Sequence, residues 1–358
     1  MDYVRRRALL RETREQAPVS SFLVTSPQNV QYLTGFTGGE SWLLLTGERA
    51  ILLTDFRYGE QALKEAPDVE VVLRADETLA ALATRVLPSE GQVAFEGPHL
   101  SYANYRRLAD EAGADRLLAV EDWVEKQRAL KSPEEVALIR RAIAVAEAAF
   151  TETRAQLRPG MAEKEVADEL VWRMRRLGAQ AEAFPVIVAG GERGSLPHAQ
   201  STDRRLRAGE AVLLDWGARV DFYNCDLTRV LFLGSIPASI REIYGVVLSA
   251  QQEAFEASSP GRLLGEIDEA ARKLIAQAGF GSFFGHALGH GVGLEVHERP
   301  TVRHNAKDVA QAGMVYTIEP GIYRPGIGGV RVEDMVLVGE AGAERMTSLP
   351  RGMEAMVV

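Results

Sequence analysis

The sequence predicts an α/β (α+β) protein of two domains, and three observations support that prediction. The chain has 358 residues, more than a single hydrophobic core usually serves. Residues 21–120 alternate between short apolar runs and stretches with helical spacing, which is typical of an α/β domain. A strong helix start then appears at Ser132. We therefore expect one domain at residues 1–130 and a second at residues 131–358.

The first domain is predicted to alternate strands with helices. Its strand-like runs are rich in Val, Ile, Leu and Phe and end in turn residues: SFLVTS, SWLLLTG, AILLTD, VEVVLR and QVAFEG. The stretches TLAALATRVL and YANYRRLADEAG between and after them have helical spacing. No cofactor fingerprint is visible in this part of the chain.

The second domain is predicted to begin with a capped helix. Ser132 is a good N-cap, Pro133 suits the first helical position, and Glu135 stands three residues after the cap. This helix should run to about residue 157, before Pro159 and Gly160. A second helix is expected at residues 162–177.

The rest of the second domain is predicted to mix strands with two further helices. The strand-like runs FPVIVAG, EAVLLDWGARV and LTRVLFLG come first, and helices should follow near Ala238–Ala257 and at 264–278. The runs MVYTIEPGIY and GGVRVEDMVLVG predict the closing strands.

Composition excludes several functional classes. The formal net charge of −9 disfavours a nucleic-acid-binding surface. A single cysteine, Cys225, allows no intramolecular disulfide and is compatible with a reducing compartment. The N-terminal residues carry charge throughout, and no run approaches the roughly 20 apolar residues of a membrane span. We expect a cytoplasmic protein with neither nucleic-acid nor membrane partners.

Two aspartates stand within apolar, strand-like sequence. Asp215 and Asp226 lie eleven residues apart, which allows two antiparallel strands joined by a turn near residues 217–221. Such a hairpin could bring both carboxylates to one face. A buried carboxylate requires a metal or arginine partner, because burying it alone is costly. Either aspartate alone is more often an exposed strand end.

A cluster of histidines follows in the run FFGHALGHGVGLEVHERP. It holds His286, His290 and His297, and with His198 and His304 it accounts for five of the six histidines. A single histidine is more often structural than a ligand, but three within twelve residues, separated by glycines, indicate a site. Glycine allows the backbone to approach such a site closely.

Two further acids occupy strand-like runs near the C-terminus. Glu319 lies in VYTIEPGIY and Glu333 in GVRVEDMVLV, although glutamate is disfavoured in strands. Alternation alone does not decide whether Glu333 or its neighbour Asp334 faces inward. Four carboxylates and one imidazole suit Mn²⁺, Co²⁺, Fe²⁺ or Zn²⁺, and four negative charges balance two divalent ions with a bridging hydroxide as nucleophile.

The ordered motifs LLDWGA, NCDLTR, HALGHGVGLEVHE, TIEPGIY and VRVEDM resemble those of the pita-bread metallopeptidases, and within them the proline peptidases aminopeptidase P and prolidase. The stretch NVQYLTGFTG followed by ILLTDFRY resembles their creatinase-like N-terminal domain. The resemblance implies a pita-bread catalytic domain, a homodimer, and two divalent ions per chain, with Mn²⁺ ahead of Co²⁺, Zn²⁺ and Fe²⁺. Ala287 departs from the Gly or Ser usual in the family's histidine motif.

The resemblance also implies residue roles. Asp215 would bind one metal, Asp226 and Glu333 would bridge both, and His290 and Glu319 would complete the second. Glu319 would also transfer a proton. His198 and His297 would contact the scissile bond, where they could donate hydrogen bonds to developing charge. The implied substrate-binding residues are His286, Arg331, Phe184 and Tyr323, of which Phe184 and Tyr323 could equally be core aromatics.

The implied substrates are short peptides with proline at the second position. An X–Pro amide has no N–H and a fixed ring, so an apolar wall and an anchored N-terminal amine would select it. Family prolidases carry an arginine four residues after the histidine that matches His297, and Thr301 stands there in this chain. The sequence therefore favours an Xaa-Pro aminopeptidase, with an Xaa-Pro dipeptidase as the alternative. A non-catalytic peptide-binding module is a distant third, because the full ligand set is present.

Overall fold

A computed structural model describes residues 1–15, 17, 19–47 and 49–358 of the chain. The chain divides into two units, Met1–Arg128 and Ala129–Val358. Both contain helices and sheets, so the predicted α/β (α+β) class is confirmed. No helix in these ranges is long and apolar enough to cross a bilayer.

The first unit is built on a six-stranded sheet in the order β4-β3-β2-β1-β5-β6, counted over the described residues. Only β2 runs opposite to its neighbours, since β3 is parallel to β4, and β1 and β6 are both parallel to β5. The strands are β1 (Val19–Val24), β2 (Trp42–Thr46), β3 (Arg49–Asp55), β4 (Glu70–Arg74), β5 (Gln92–Glu96) and β6 (Leu117–Val120).

Two of the helices in this unit lie where the sequence predicts them. The expected helices at TLAALATRVL and YANYRRLADEAG are confirmed, each capped by a hydroxyl side chain, from Thr78 and Ser101. Leu23, Leu44 and Leu53 from adjacent strands are fully buried in the core of this unit. The helices are α1 (Tyr3–Glu15), α2 (Pro27–Thr34), α3 (Gly59–Glu65), α4 (Leu79–Val86), α5 (Tyr102–Ala112) and α6 (Glu125–Ala129), which reaches the next unit.

The second unit opens with the predicted helix. Ser132 and Glu135 form the expected capping box, in which each side chain accepts a hydrogen bond from the other residue's backbone N–H. The helix ends at Arg154, three residues earlier than the sequence predicts. The helices of this unit are α7 (Pro133–Arg154), α8 (Glu163–Arg176), α9 (Ala238–Ala257) and α10 (Leu264–Gln277).

The strands of the second unit form several small sheets. A five-stranded sheet has the order β14-β13-β15-β18-β19, and separate sheets join β12-β9-β8, β11-β10-β7 and β16-β17. Their bounds are β7 (Ala181–Glu182), β8 (Ile187–Gly190), β9 (Ala211–Trp216), β10 (Ala218–Val220), β11 (Tyr223–Asn224), β12 (Leu227–Phe232), β13 (Gly289–Gly291), β14 (Glu298–Val302), β15 (Val315–Ile318), β16 (Gly321–Arg324), β17 (Gly328–Arg331), β18 (Asp334–Gly339) and β19 (Gly342–Arg345).

The hairpin that carries the two aspartates differs in one detail from the prediction. Its strands continue past residue 217 as β10 and β11, and the turn falls at Asp221 and Phe222, both with positive φ. Gly217 allows this extension, because a Cβ there would lie only 1.9 Å from the carbonyl oxygen of Cys225. The backbone therefore crosses closely here instead of turning.

Candidate active site

A cavity of about 450 Å³ lies within the second unit. It falls within the usual volume range of small-molecule sites. Every residue that the sequence singles out for the site lines this cavity: Phe184, His198, Asp215, Asp226, His286, His290, His297, Glu319, Tyr323, Arg331 and Glu333. The fold therefore brings together residues that are up to 149 positions apart in the sequence.

The two aspartates reach the cavity from one antiparallel ladder. Asp215 on β9 pairs with Thr228 on β12, and Asp226 directly precedes β12. Their side chains are only 13% and 6% exposed. In each carboxylate, Oδ1 is buried without a hydrogen-bond partner. Such orphaned oxygens are rare in proteins because they lose their hydration without compensation.

His290 and Glu319 come from neighbouring strands of the five-stranded sheet. His290 lies on β13 and Glu319 directly follows β15. The His290 Nε2 atom lies 3.2 Å from Glu319 Oε1 and 3.6 Å from Asp226 Oδ2. Its Nδ1 lies 3.1 Å from the carbonyl oxygen of Gly291, so a proton on Nδ1 leaves Nε2 free to bind a cation.

Glycines flank His290 because the sheet is crowded there. A Cβ at Gly289 would lie 1.9 Å from the carbonyl oxygen of Thr317, and one at Gly291 would lie 2.0 Å from that of Arg299. No larger residue fits either position without moving the backbone. The alternation of glycine and histidine in the sequence thus reflects close strand packing around His290.

The structure separates Glu333 from Asp334. Glu333 lies between β17 and β18, and its Oε2 accepts a hydrogen bond from Thr228 Oγ1 at 2.6 Å. Its Oε1 is buried without a partner and belongs to the cavity lining. Asp334 instead pairs with the fully buried Arg229, with 2.7 Å between Oδ1 and Nη2. Glu333 is therefore the acid that faces the site.

Burial and, after it, neighbouring negative charge determine the electrostatics at the centre of the site. Burial raises the pKa of Asp226 well above its usual range, and the carboxylates of Glu333 and Asp215 raise it further. Burial likewise raises the pKa of Glu333. Burial also acts to raise the pKa of Glu319, but the hydrogen bond and charge of His290 outweigh it and lower that pKa to about 2.

These residues fit divalent cations. Three overlapping groups each place one potential ligand atom per residue within 4.8 Å of the others: Asp226, His290 and His297; His290, Glu319 and Glu333; and Asp215, Asp226 and Glu333. Asp215, Asp226 and Glu333, each of which has one orphaned oxygen, all belong to these groups. Cations would supply the missing partners and remove the repulsion that raises the carboxylate pKa values.

A hydrogen-bonded row extends from Asp215 along one wall. Arg331 Nη2 binds Asp215 Oδ2 at 2.5 Å, and Arg331 Nη1 donates to the Tyr323 hydroxyl oxygen at 2.7 Å. That hydroxyl lies 2.9 Å from His286 Nε2. Because arginine only donates, the Tyr323 hydroxyl can give its own hydrogen to His286. Tyr323 and His286 are thus hydrogen-bonded wall residues.

The remaining predicted residues stand around the opening and the apolar side of the cavity. His297 is exposed, and its ring contacts that of His290 edge-on, with 4.2 Å between centroids. Burial of its inner part and the nearby His290 lower the pKa of His297. His198 and Phe184 are also lining residues, and Pro185, Ile187 and Pro197 extend the apolar surface beside Phe184.

Two threonines at the site are not singled out by the sequence. Thr228 donates to Glu333, and Thr317 Oγ1 donates to Glu319 Oε1 at 3.1 Å while accepting from the backbone N–H of His290. Each stands two residues from a predicted ligand, Asp226 or Glu319. Strand alternation places residues i and i+2 on one face, so that spacing could have indicated both.

Comparison with known families agrees with this arrangement. The family model for metallopeptidase family M24 matches residues 137–340, which hold every residue of the cavity described above. The chain belongs to metallopeptidase family M24. A second model, the creatinase/prolidase N-terminal domain, matches residues 5–130. The predicted family, with a creatinase-like N-terminal domain followed in sequence by a pita-bread catalytic domain, is confirmed. Membership of family M24 implies divalent metals at the centre.

Several M24 relatives resemble the chain over nearly its whole length. An Xaa-Pro dipeptidase of Pyrococcus furiosus is 35% identical over 94% of this chain and 96% of its own. Among solved structures, an Xaa-Pro dipeptidase from Bacillus anthracis has a TM-score of 0.95 at 35% identity, with full coverage of both chains. An X-Pro aminopeptidase from Thermotoga maritima has a TM-score of 0.88 at 34% identity, covering 97% of this chain and 100% of that one.

Proposed function

We propose that this chain is a dinuclear-metal Xaa-Pro dipeptidase that hydrolyses the bond before proline in short peptides. The observation that supports this most is the convergence of five potential ligands and an apolar wall on one cavity of about 450 Å³. Relatives named Xaa-Pro dipeptidase support the dipeptide as substrate. The sequence alone favours the aminopeptidase because of Thr301, whereas these relatives favour the dipeptidase.

We propose Asp215, Asp226, His290, Glu319 and Glu333 as the ligands of two divalent ions, with Mn²⁺ first among Mn²⁺, Co²⁺, Zn²⁺ and Fe²⁺. Such a pair lowers the pKa of bound water and stabilises negative charge on the attacked carbonyl. Asp226 and Glu333 are the proposed bridging ligands.

The chain's own side chains supply proton transfer and hydrogen bonds. Glu319 Oε1 lies 3.2 Å from His290 Nε2 at the centre of the site, and we propose that its carboxylate accepts a proton from the attacking water and returns it to the leaving proline nitrogen. His198 and His297 are the proposed donors to charge that develops at the scissile bond. Both line the cavity beside the candidate metal ligands.

Selection of proline is assigned to the apolar wall. Phe184, Pro185, Ile187 and Pro197 offer a surface without hydrogen-bond donors or acceptors in their side chains. An X–Pro peptide bond has no N–H, so an apolar wall leaves no donor there without a hydrogen bond. At any other peptide bond, the same wall would displace the water bound to the N–H and offer no acceptor in its place. We propose that the proline ring packs against this wall beside Tyr323.

An Xaa-Pro aminopeptidase is the second candidate, and Thr301 favours it. A dipeptidase must bind a free carboxylate next to the proline, for which an arginine is well suited. Thr301 lines the cavity and stands where, by the family resemblance, prolidases carry that arginine. The cavity's Arg331 is already engaged by Asp215, Tyr323 and Thr228.

The test is a matched pair of substrates. Purified protein with Mn²⁺, Co²⁺ or Zn²⁺ is given an X–Pro dipeptide and the X–Pro–Y tripeptide with the same first residue, and kcat/KM is measured for each. The dipeptidase proposal expects free proline from the dipeptide at the higher kcat/KM. Cleavage of the tripeptide alone would establish the aminopeptidase, and cleavage of neither would reject both.

Three further points are proposals. Family matches at residues 5–130 and 137–340 support functional domains at 1–130 and 131–358. A homodimer is proposed from the family resemblance and is tested by light scattering during gel filtration. A cytoplasmic location is proposed because the single cysteine, Cys225, allows no intramolecular disulfide, which is compatible with a reducing compartment.

A further inference from the structure

A buried ion pair lies directly behind the loop that carries His297. Lys131 Nζ and Glu298 Oε1 are 2.9 Å apart, and the two side chains are only 1% and 3% exposed. Lys131 precedes α7, whereas Glu298 begins β14 and is the residue after His297. A buried ion pair is weak evidence for added stability, because desolvation offsets most of the attraction. Its location therefore calls for a different explanation.

Glu298 organises the inside of the loop at residues 292–297. Its second carboxylate oxygen, Oε2, accepts a hydrogen bond from the backbone N–H of Glu295 at 3.2 Å. Gly293 makes room for this carboxylate, because a Cβ there would lie 2.5 Å from Oε1. The carboxylate of Glu298 thus fills the loop that ends in His297.

Lys131 is itself held firmly. Its backbone N–H donates to the carbonyl oxygen of Gly313 at 2.8 Å, and Leu130 forms an isolated bridge with Met314, next to β15. The backbone at Lys131 is thereby held next to the strand that leads to Glu319. Because its side chain is buried against Glu298, Lys131 restricts where the neighbouring His297 can lie relative to Glu319.

We propose that Lys131 is a positioning residue for His297, acting through its ion pair with Glu298. The pair fixes the loop so that the His297 ring stays against His290 at the cavity mouth. Lys131 does not line the cavity, so its effect on the substrate is indirect, and we assign that effect to His297. The role of His297 in catalysis rests on the proposed function, but its placement by Lys131 does not.

The test removes both charges together, because deleting one alone would leave the other buried without a partner and unfold the site. The double variant Lys131→Met/Glu298→Gln is compared with Arg140→Met/Glu344→Gln, which removes an exposed ion pair from the same unit. Proteins labelled with ¹⁵N-histidine are studied without metal by NMR, and the His297→Ala spectrum identifies the His297 ring. We expect the His297 resonances to shift in the first variant and not in the control, while those of His99 in the other unit stay unchanged. Unshifted His297 resonances would overturn the proposal.

Kinetics on an X–Pro dipeptide then measure the consequence. We expect kcat/KM of the Lys131→Met/Glu298→Gln variant to fall about tenfold, which is about 1.4 kcal/mol. When the same two substitutions are combined with His297→Ala, we expect kcat/KM to be no lower than in His297→Ala alone. Fully multiplicative losses would show that the pair does not act through His297 and would contradict the inference. If the wild-type protein cleaves no X–Pro peptide, the proposed function fails, whereas the NMR comparison still decides the placement of His297.

Discussion

Thr228 donates its hydroxyl hydrogen to Glu333, with 2.6 Å between Oγ1 and Oε2. The direction of this bond follows from Glu333, because an ionised carboxylate only accepts hydrogen bonds. The same Oγ1 accepts a hydrogen bond from the Nε–H of Arg331 at 3.1 Å, so the hydroxyl both accepts and donates. Glu333 is thereby oriented with its other oxygen, Oε1, towards the cavity.

Thr228→Val should weaken metal binding while leaving the packing almost unchanged. Valine has nearly the same shape but can neither donate to Glu333 nor accept from Arg331, and losing such outer hydrogen bonds typically costs about 10–100-fold in metal affinity. Isothermal titration of the metal-free protein with Mn²⁺ measures this. Thr228→Ser, which keeps the hydroxyl, is the matched control, and equal affinities in all three proteins would disprove the role of this bond.

Thr301→Arg should shift the enzyme towards dipeptides. Thr301 lines the cavity and pairs with His290 across β13 and β14, so a guanidinium there could reach a carboxylate next to the substrate proline. We expect kcat/KM for an X–Pro dipeptide to rise about tenfold relative to the matching tripeptide, equivalent to about 1.4 kcal/mol. Thr301→Gln controls for side-chain size. An equal change for both peptides would show that position 301 does not meet the C-terminal carboxylate.

His286 should make stability depend on pH below about 6.5. Burial lowers the pKa of His286 in the folded protein, so below the ordinary histidine value of 6.5 the unfolded chain binds a proton that the folded chain does not. Stability therefore falls as the pH drops from 6.5 towards the folded pKa. His286→Gln removes this contribution, so the difference in unfolding free energy between the wild type and this variant should shrink from pH 7.5 to pH 5.5. Urea unfolding at both pH values tests this, and a constant difference would contradict it.

Asp334→Asn should affect stability more than metal binding. Asp334 accepts hydrogen bonds from Arg229, Thr347 and Gln251, and it is the ionic partner of the fully buried Arg229. Losing its charge leaves that arginine uncompensated, which typically costs about 3–5 kcal/mol. Urea unfolding should show this loss while metal content per folded chain stays at the wild-type value. Glu333→Gln should instead lower the metal content and change the unfolding free energy less. If both substitutions changed stability and metal content alike, the separate roles of Glu333 and Asp334 would be contradicted.

Much of the fold follows from local sequence patterns. The capping box at Ser132 and Glu135 and the helix at Ala238–Ala257 are predictable because caps and 3.6-residue periodicity are local properties. The turn at Asp221 and Phe222 lies at the end of the predicted stretch 217–221, because Gly217 serves close packing against Cys225 in the returning half of the hairpin. In a sequence, a glycine required for close packing looks the same as one required for a turn.

The sequence predicts residues that line one cavity but not the partners that support them. Period-two alternation cannot decide between Glu333 and Asp334, because both are buried and face different polar surroundings. The family motif favours Glu333, and only the three-dimensional structure places Asp334 beside Arg229. The ion pair of Lys131 with Glu298 joins residues 167 positions apart, which no spacing argument links.

The most direct test of the central claim is the number of metal ions bound per chain by the wild type and by Asp226→Asn. Asp226 is one of the two proposed bridging ligands, and one of its oxygens is buried without a protein partner. We predict two ions per wild-type chain and at most one in Asp226→Asn, measured by elemental analysis after equilibrium dialysis against Mn²⁺. Two ions retained by Asp226→Asn at unchanged affinity would contradict the dinuclear centre proposed here.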